Sequence, residues 1–179
     1  MASAITHFVV GASLALPCME LAALRGVMPR WAIPVTAGLF AAAPDLDTWA
    51  MLAFDIPRGS FLSHRGFFHS PSVLAFLALA VASLVARGRA ILPLAAMWAG
   101  AAITHPLLDM LTDGGSGVMV LFPFSTERFF FPWRPIRVSP LSVARFFDRA
   151  GQILRSELPF CAAAMLLGVA VRSIMPHRD

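Results

Sequence analysis

AILPLAAMWAGAAITHPLLDMLT, residues 90–112, is the stretch on which the reading of this chain turns. It carries no charge before Asp109, and it matches the roughly 20 apolar residues needed to cross a bilayer core. His105 and Asp109 stand in it four positions apart, so on a helix they share a face. An Asp at the centre of a membrane helix costs about 2.5–3.5 kcal/mol on the insertion scale. A chain that keeps an imidazole and a carboxylate together at that depth neutralises them with something. A divalent metal ion is the simplest candidate.

The surrounding sequence has the same character. Of 179 residues, 58% are hydrophobic and 13% charged, with a mean hydropathy of +0.74, which is membrane-protein composition. Apolar segments at 7–24, 32–54, 67–86 and 158–175 join the one at 90–112. Together they predict an all-α fold: an integral membrane helical bundle of about five spans, with broken helices and an interfacial amphipathic helix. The whole of residues 1–179 reads as a single membrane domain. Unusually apolar helices of a soluble core are the alternative. Pro44 and Pro106 are expected to interrupt the second and fourth spans beside their polar groups, which is tolerated where freed backbone lines a buried polar cavity. Arg25-Gly26, Arg30, Arg58-Gly59 and Arg87-Gly88-Arg89 mark connectors, and Ser70-Pro71 starts the third helix. Residues 1–6 lack the basic stretch of a cleaved signal peptide, so the first apolar segment is read as retained.

Residues 113–157 differ. They open with Gly114-Gly115-Ser116-Gly117, which lacks the Gly-Lys-Ser/Thr of a phosphate loop and reads as a helix stop and lid. An aromatic run at 129–133 follows, suited to a membrane interface. Then Val143, Phe146, Phe147, Ala150, Ile153 and Leu154 recur at helical spacing opposite Arg145, Asp148, Arg149, Gln152 and Arg155. That pattern fits a helix lying in the interface plane, or one packed on the rest of the domain.

All 14 basic residues are Arg, and the net charge is +4. The arginines are scattered between apolar segments, as topology-setting charge is, so no nucleic-acid partner is expected. Membrane lipids, and a lipid-like substrate, are the expected partners. With abundant Ala and no Lys, Tyr or Asn, the composition resembles that of a GC-rich bacterial genome. Cys18 and Cys161 lie in apolar runs without metal or redox spacing and read as inert.

Alternating spans bring the polar groups to one side of the membrane. His7, Asp45, Asp47, His64, His69, His105, Asp109 and Glu157 all fall toward that side, whereas scattered polar residues would occupy both. His177 sits in the tail and reads as solvated. Eight arginines lie on the site's side and six on the other (14 in all), a lean toward a cytoplasmic site under the positive-inside rule. Imidazole and carboxylate donors without thiolate suit one or two Zn, Mn or Fe ions. Each piece has a plainer reading: a satisfied core histidine for His7, helix capping for Asp45 and Asp47, a metal-free hydrogen bond for His105 and Asp109. Asp45 and Asp47 converge only if Pro44 distorts the helix, and His64 and His69 only through a turn that Gly66 can supply.

The ordered set is more specific than any part. Pro44-Asp45-x-Asp47, His64-Arg65-Gly66-x-x-His69-Ser70, His105-x-x-Leu108-Asp109-x-x-Thr112-x-x-Gly115 and Phe122-Pro123-Phe124-Ser125 resemble the YdjM-like family of predicted membrane-bound metal-dependent hydrolases. Residues 128–140 and Ser156-Glu157-Leu158 resemble a branch of it. The likeness runs from His7 to about Pro159. Phe68 departs from it, standing where the family has Thr, so a hydroxyl able to orient His69 is missing.

The resemblance implies a multi-span protein of the bacterial inner membrane with a His/Asp metal site and hydrolase activity on a lipid-like or other phosphoester or ester. His7, Asp45, Asp47, His64, His69, His105 and Asp109 are the candidate ligands. A metal-activated water would attack, and Asp47 or Glu157 would take its proton. Arg65 would stabilise developing negative charge, or else pair with Asp45 or Asp47. Thr112 reads as a supporting hydroxyl. A metal-ion or proton-coupled transporter, and a membrane scaffold or regulator with a structural metal, are the alternatives.

Overall fold

The computed structural model describes residues 1–140 and 142–176. Ser3 opens the first helix, α1 (Ala4–Leu14): its hydroxyl accepts the Thr6 N–H, satisfying one of the orphan donors of a helix start. α1 stops at eleven residues because Pro17 follows, and proline neither donates to a helix ladder nor fits its interior. The chain passes through a 3-10 turn, Leu16–Glu20, into the short α2 (Ala22–Arg25). Pro44 acts likewise on α3 (Ala32–Ala42), where a 3-10 turn, Ala43–Leu46, leads into α4 (Asp47–Ala53). A connector ending in the 3-10 turn Phe67–His69 precedes α5 (Pro71–Val85). α6 (Ile91–Met110), a long loop and α7 (Val143–Ile174) complete the order. The class is all-α as expected: the described residues hold no strand. The long loop is fastened by isolated bridges between Thr112 and Ile136 and between Val118 and Phe129.

The span pattern is coarser than five equal crossings. Gly88–Met110 and Arg145–Ile174 are long and apolar enough to cross a membrane, while Ala4–Leu14 and Pro71–Val85 are apolar but shorter. Eleven helical residues reach only about 16 Å, half of a hydrocarbon core. The first two expected spans are therefore cut short by Pro17 and Pro44. Pro106 departs from expectation, since α6 runs through it to Met110. A proline in a helix held by its neighbours need not end it, and α6 is held by α3 and α5. The amphipathic stretch and the fifth apolar segment, expected as separate helices, form the single α7. Their junction at Ser156 and Glu157 is bonded to the loop and the N-terminal segment rather than turned. His177, read as a solvated tail residue, lies outside the described residues.

α1 packs on α3 and α7, α3 on α6, and α5 on α6. Small residues set these distances, as in membrane bundles generally. A Cβ on Gly11 would lie 2.3 Å from the Ala41 Cβ, and one on Gly168 would lie 2.0 Å from the Ser13 carbonyl oxygen. The core is built from Leu24, Ile33, Ala37, Ala78, Leu94 and Trp98. Phe40 stacks on Trp98 at 4.3 Å, and the Trp98 indole N–H donates to Thr36. Buried Glu20 pairs with Arg30 and Arg172, tying the approach to α3 to the end of α7. Phe76 and Leu84 on α5 and Leu166 and Ile174 on α7 are exposed. Apolar surface on this scale calls for lipid or a partner rather than water.

Candidate metal centre

Four parts of the chain meet at one polar core. α1 supplies His7, the bend at Pro44 supplies Asp45 and Asp47, the connector before α5 supplies His64, Arg65 and His69, and α6 supplies His105 and Asp109. All are buried except His64, whose side chain is 11% exposed. In a continuous helix Asp45 and Asp47 would point about 200° apart. The 3-10 turn at Pro44 removes that obstacle and aims both inward. The turn between His64 and His69 is made at Arg65, whose φ of 65° is left-handed, and not at Gly66. Gly66 is required by crowding instead, because a Cβ there would sit 2.2 Å from the Phe61 carbonyl oxygen.

The hydrogen bonds fix which ring atoms face inward. The Ala41 carbonyl accepts from His105 Nδ1 at 2.7 Å, so the Nε2 of a neutral His105 carries a bare lone pair. Asp47 Oδ1 accepts from His64 Nδ1 at 2.8 Å, leaving His64 Nε2 without a partner. Asp47 Oδ2 lies 3.1 Å from His69 Nδ1, close but out of hydrogen-bond alignment. Inside, His69 Nε2 faces His105 Nε2 at 3.1 Å, with Asp45 Oδ1 3.3 Å and Asp109 Oδ2 3.9 Å from the latter. His7 stacks on His105 at 3.5 Å, its Nε2 3.5 Å from Asp109 Oδ1.

This donor set fits a metal ion. Both ring nitrogens of His7, both oxygens of Asp45 and His64 Nε2 are buried without a hydrogen-bond partner among the described residues, which costs about 1–3 kcal/mol per group, and more for a charged one. The contacts among the inner atoms run from 3.1 to 4.0 Å, without hydrogen-bond alignment between the carboxylates and the rings. Ligands about 2.1 Å from a common ion are separated by about 3.0–3.4 Å in octahedral or tetrahedral geometry. Three overlapping groups bring one ligand atom from each member within 4.8 Å of the others, close enough that they could hold an ion: His7, Asp45 and His105; Asp45, His64 and His69; His69, His105 and Asp109. Asp47 belongs to none of them; it holds the outer edge of the His64 ring and lies against that of His69. A carboxylate or carbonyl behind each ring is the usual support of a metal-bound histidine.

Arg65 pairs with neither Asp45 nor Asp47. Its Nε donates to Asp109 Oδ2 at 3.0 Å, Nη1 to the Gly114 carbonyl and Nη2 to Thr112 Oγ1. Gly115 makes room for it, since a Cβ there would come within 2.5 Å of Nη1. The glycine-rich loop thus cradles Arg65, where the sequence had pointed to a lid. Glu157 stands with the N-terminal segment, accepting from Ser3 N–H, Ser3 Oγ and Thr6 Oγ1 at 2.5–2.8 Å. It belongs to none of the three groups. Three supports escaped the sequence reading, the Ala41 carbonyl behind His105 among them. Thr48 Oγ1 lies 3.2 Å from His64 Nδ1, and Arg128 clamps the connector through Ser60, Ser63 and the His64 carbonyl. Thr48 beside Asp47 was a findable signal; the Ala41 carbonyl behind His105 had none.

An all-helical, lipid-exposed chain built round a buried cluster of histidines and aspartates belongs among membrane proteins with a potential metal centre. The model of the YdjM inner membrane protein family matches residues 1–177. Inner membrane protein YbcI of Escherichia coli (strain K12) is 36% identical over 124 residues, covering 67% of this chain and 70% of that protein. The chain belongs to the YdjM inner membrane protein family, which places it in the bacterial inner membrane. No solved structure matches it.

Proposed function

We propose that this protein is a multi-pass, membrane-bound metal-dependent hydrolase whose substrate is an ester or phosphoester of amphiphilic character. The observation that carries the reading is the pair of facing nitrogens, His69 Nε2 and His105 Nε2, 3.1 Å apart. The outer nitrogen of His105 is committed to Ala41 and that of His69 lies against Asp47. Two ring nitrogens this close need a proton or a metal ion between them, and the Asp45 oxygens and His64 Nε2 around the pair, unpartnered among the described residues, favour the metal ion.

His7, Asp45, His64, His69, His105 and Asp109 are the ligands, for one or two ions. A divalent ion supplies Lewis acidity and a water activated near neutral pH. Asp47 fixes the ring of His64 through Oδ1, and its Oδ2, without a hydrogen-bond partner among the described residues, is the carboxylate oxygen that would take a proton. Arg65 anchors Asp109 and borders the neighbouring cavity, where it stabilises negative charge on a bound group. Glu157 positions α1, and so His7, instead of acting as the base. His64 is the ligand nearest solvent and gives the site its access. The one-sided distribution of these groups favours a hydrolase over a transporter, which needs a polar path to both faces. The arginine imbalance favours the cytoplasmic face.

The test is turnover by purified protein of p-nitrophenyl phosphate, bis(p-nitrophenyl) phosphate and a p-nitrophenyl acyl ester in detergent. Hydrolysis of at least one is expected, abolished by chelator, restored by Mn²⁺ or Zn²⁺ and lost in Asp109→Asn. Metal-loaded protein that turns over none of them contradicts the hydrolase reading and leaves a structural metal.

A further inference from the structure

A cavity of about 690 Å³ opens beside His64. Four arginines stand in its wall, Arg58, Arg65, Arg145 and Arg149, together with several serines, and no acidic residue lines it. Arg65 is engaged with Asp109, Thr112 and Gly114. Arg58, Arg145 and Arg149 have no acidic partner among the described residues. Guanidinium groups gathered without counter-charge repel one another, and a phosphate-type anion relieves that repulsion while matching their planar donor geometry.

A second cavity, of about 290 Å³, lies against the same cluster. Its one ionisable wall residue is Asp47; Phe40, Leu46, Phe68, Leu74 and Leu77 form much of the rest. Leu46 and Phe68 are also exposed on the outer surface, so this slot is open to the lipid that the apolar exterior requires. The two cavities flank one contact, the 2.8 Å bond between Asp47 and His64. On α7, exposed Phe147 lies between Arg145 and Arg149, a mixture suited to a helix meeting lipid headgroups.

We propose that the arginine-walled cavity binds the phosphate-bearing headgroup of a membrane lipid, with an acyl chain of that lipid in the apolar slot beside Asp47. The cationic wall selects the headgroup, the slot selects the chain, and the linkage between them lies at the His/Asp cluster. A soluble phosphate compound satisfies only the first element and leaves the slot unfilled. The inference rests on the hydrolase reading for the fate of the ligand, and not for its binding.

Binding is read with a ligand that cannot turn over: hexadecylphosphonate, whose C–P bond resists hydrolysis, compared with methylphosphonate and hexadecanol. Native mass spectrometry of the full chain released from detergent micelles counts each adduct. Hexadecylphosphonate is expected to be retained about tenfold or more over either half-ligand, a margin of about 1.4 kcal/mol. Retention is expected to fall by a similar factor in the Arg58→Gln/Arg145→Gln/Arg149→Gln variant. It is expected to persist in Arg87→Gln/Arg89→Gln, which removes the same kind of charge from the α5–α6 turn. Equal retention in wild type and the triple variant overturns the proposal. So does equal retention of methylphosphonate, which marks a site for free anions. Protein that holds hexadecylphosphonate yet hydrolyses no ester separates failure of the hydrolase reading from failure of this one.

Discussion

At the scale of single residues, the chemistry turns on which nitrogen of each histidine is committed. Ala41 holds Nδ1 of His105 and Asp47 holds Nδ1 of His64, so the Nε2 atoms face the cluster and are the ones a cation would take. Asp47 consequently supports the site from behind. Asp47→Asn is predicted to keep the fold and weaken metal affinity about 10–100-fold, measured by competition with a chelator of known affinity. Topology brought His7, Asp45, Asp47, His64, His69, His105, Asp109 and Glu157 to one side of the membrane in the sequence reading. That reading could not separate a ligating Asp47 from a supporting one, because that depends on the edge each ring presents. Nor could it place Arg65, whose partner, Asp109, lies 44 positions away. Outside the helices, Asp113 gives a pH signature. Burial opposes its ionisation, but the Val138 N–H and the Arg137 guanidinium outweigh that and hold its carboxyl below the ordinary 3.8. A carboxyl lowered on folding stabilises above its unfolded value and loses that contribution as pH falls through the folded one. Asp113→Asn is therefore predicted to lower the melting temperature at pH 7, with the difference from wild type shrinking as pH drops below 3.8.

At the scale of elements, prolines and glycines decide where helices stop and how closely they pass. Pro44 was legible: the 3-10 turn it starts is the bend that Asp45 and Asp47 needed. Pro106 was not, since it lies inside a helix that runs on, as Pro159 does in α7. The residue is the same in each case and the packing around it differs, which sequence does not display. The continuity of α7 was hidden for a related reason. Its polar first half and apolar second half look like separate elements, yet the helix is continuous and Ser156 and Glu157 at the junction bond to other segments. Gly11 shows the converse, an element contact that permits one residue type. A Cβ at Gly11 would collide with Ala41, whose carbonyl orients His105. Gly11→Ala is predicted to destabilise the bundle by about 1–3 kcal/mol, the usual range for overpacking, and to weaken metal binding with it. Thermal unfolding in detergent and metal content measure the two effects.

At the scale of the whole molecule, the chain is a helical inner-membrane protein of the YdjM family that concentrates its buried histidines in one place. The all-α, membrane character was legible from composition. The number of crossings was not, because several apolar segments fold as helices too short to span alone. The cytoplasmic orientation proposed from the arginine imbalance predicts that Ser116→Cys, in the cavity wall, reacts with a membrane-impermeant maleimide in inside-out vesicles and not in intact spheroplasts. That comparison uses a background in which Cys18 and Cys161 are replaced by Ala. The reverse pattern places the site on the other face and leaves its chemistry untouched. The central claim is that the His/Asp cluster holds a metal ion, and elemental analysis of the purified protein tests it most directly. At least about one equivalent of Zn, Mn or Fe is predicted in the wild type, lost in His105→Ala and Asp109→Asn with the helical content retained. A folded wild type without metal after growth in metal-replete medium, or variants that keep the wild-type metal content, contradicts the account.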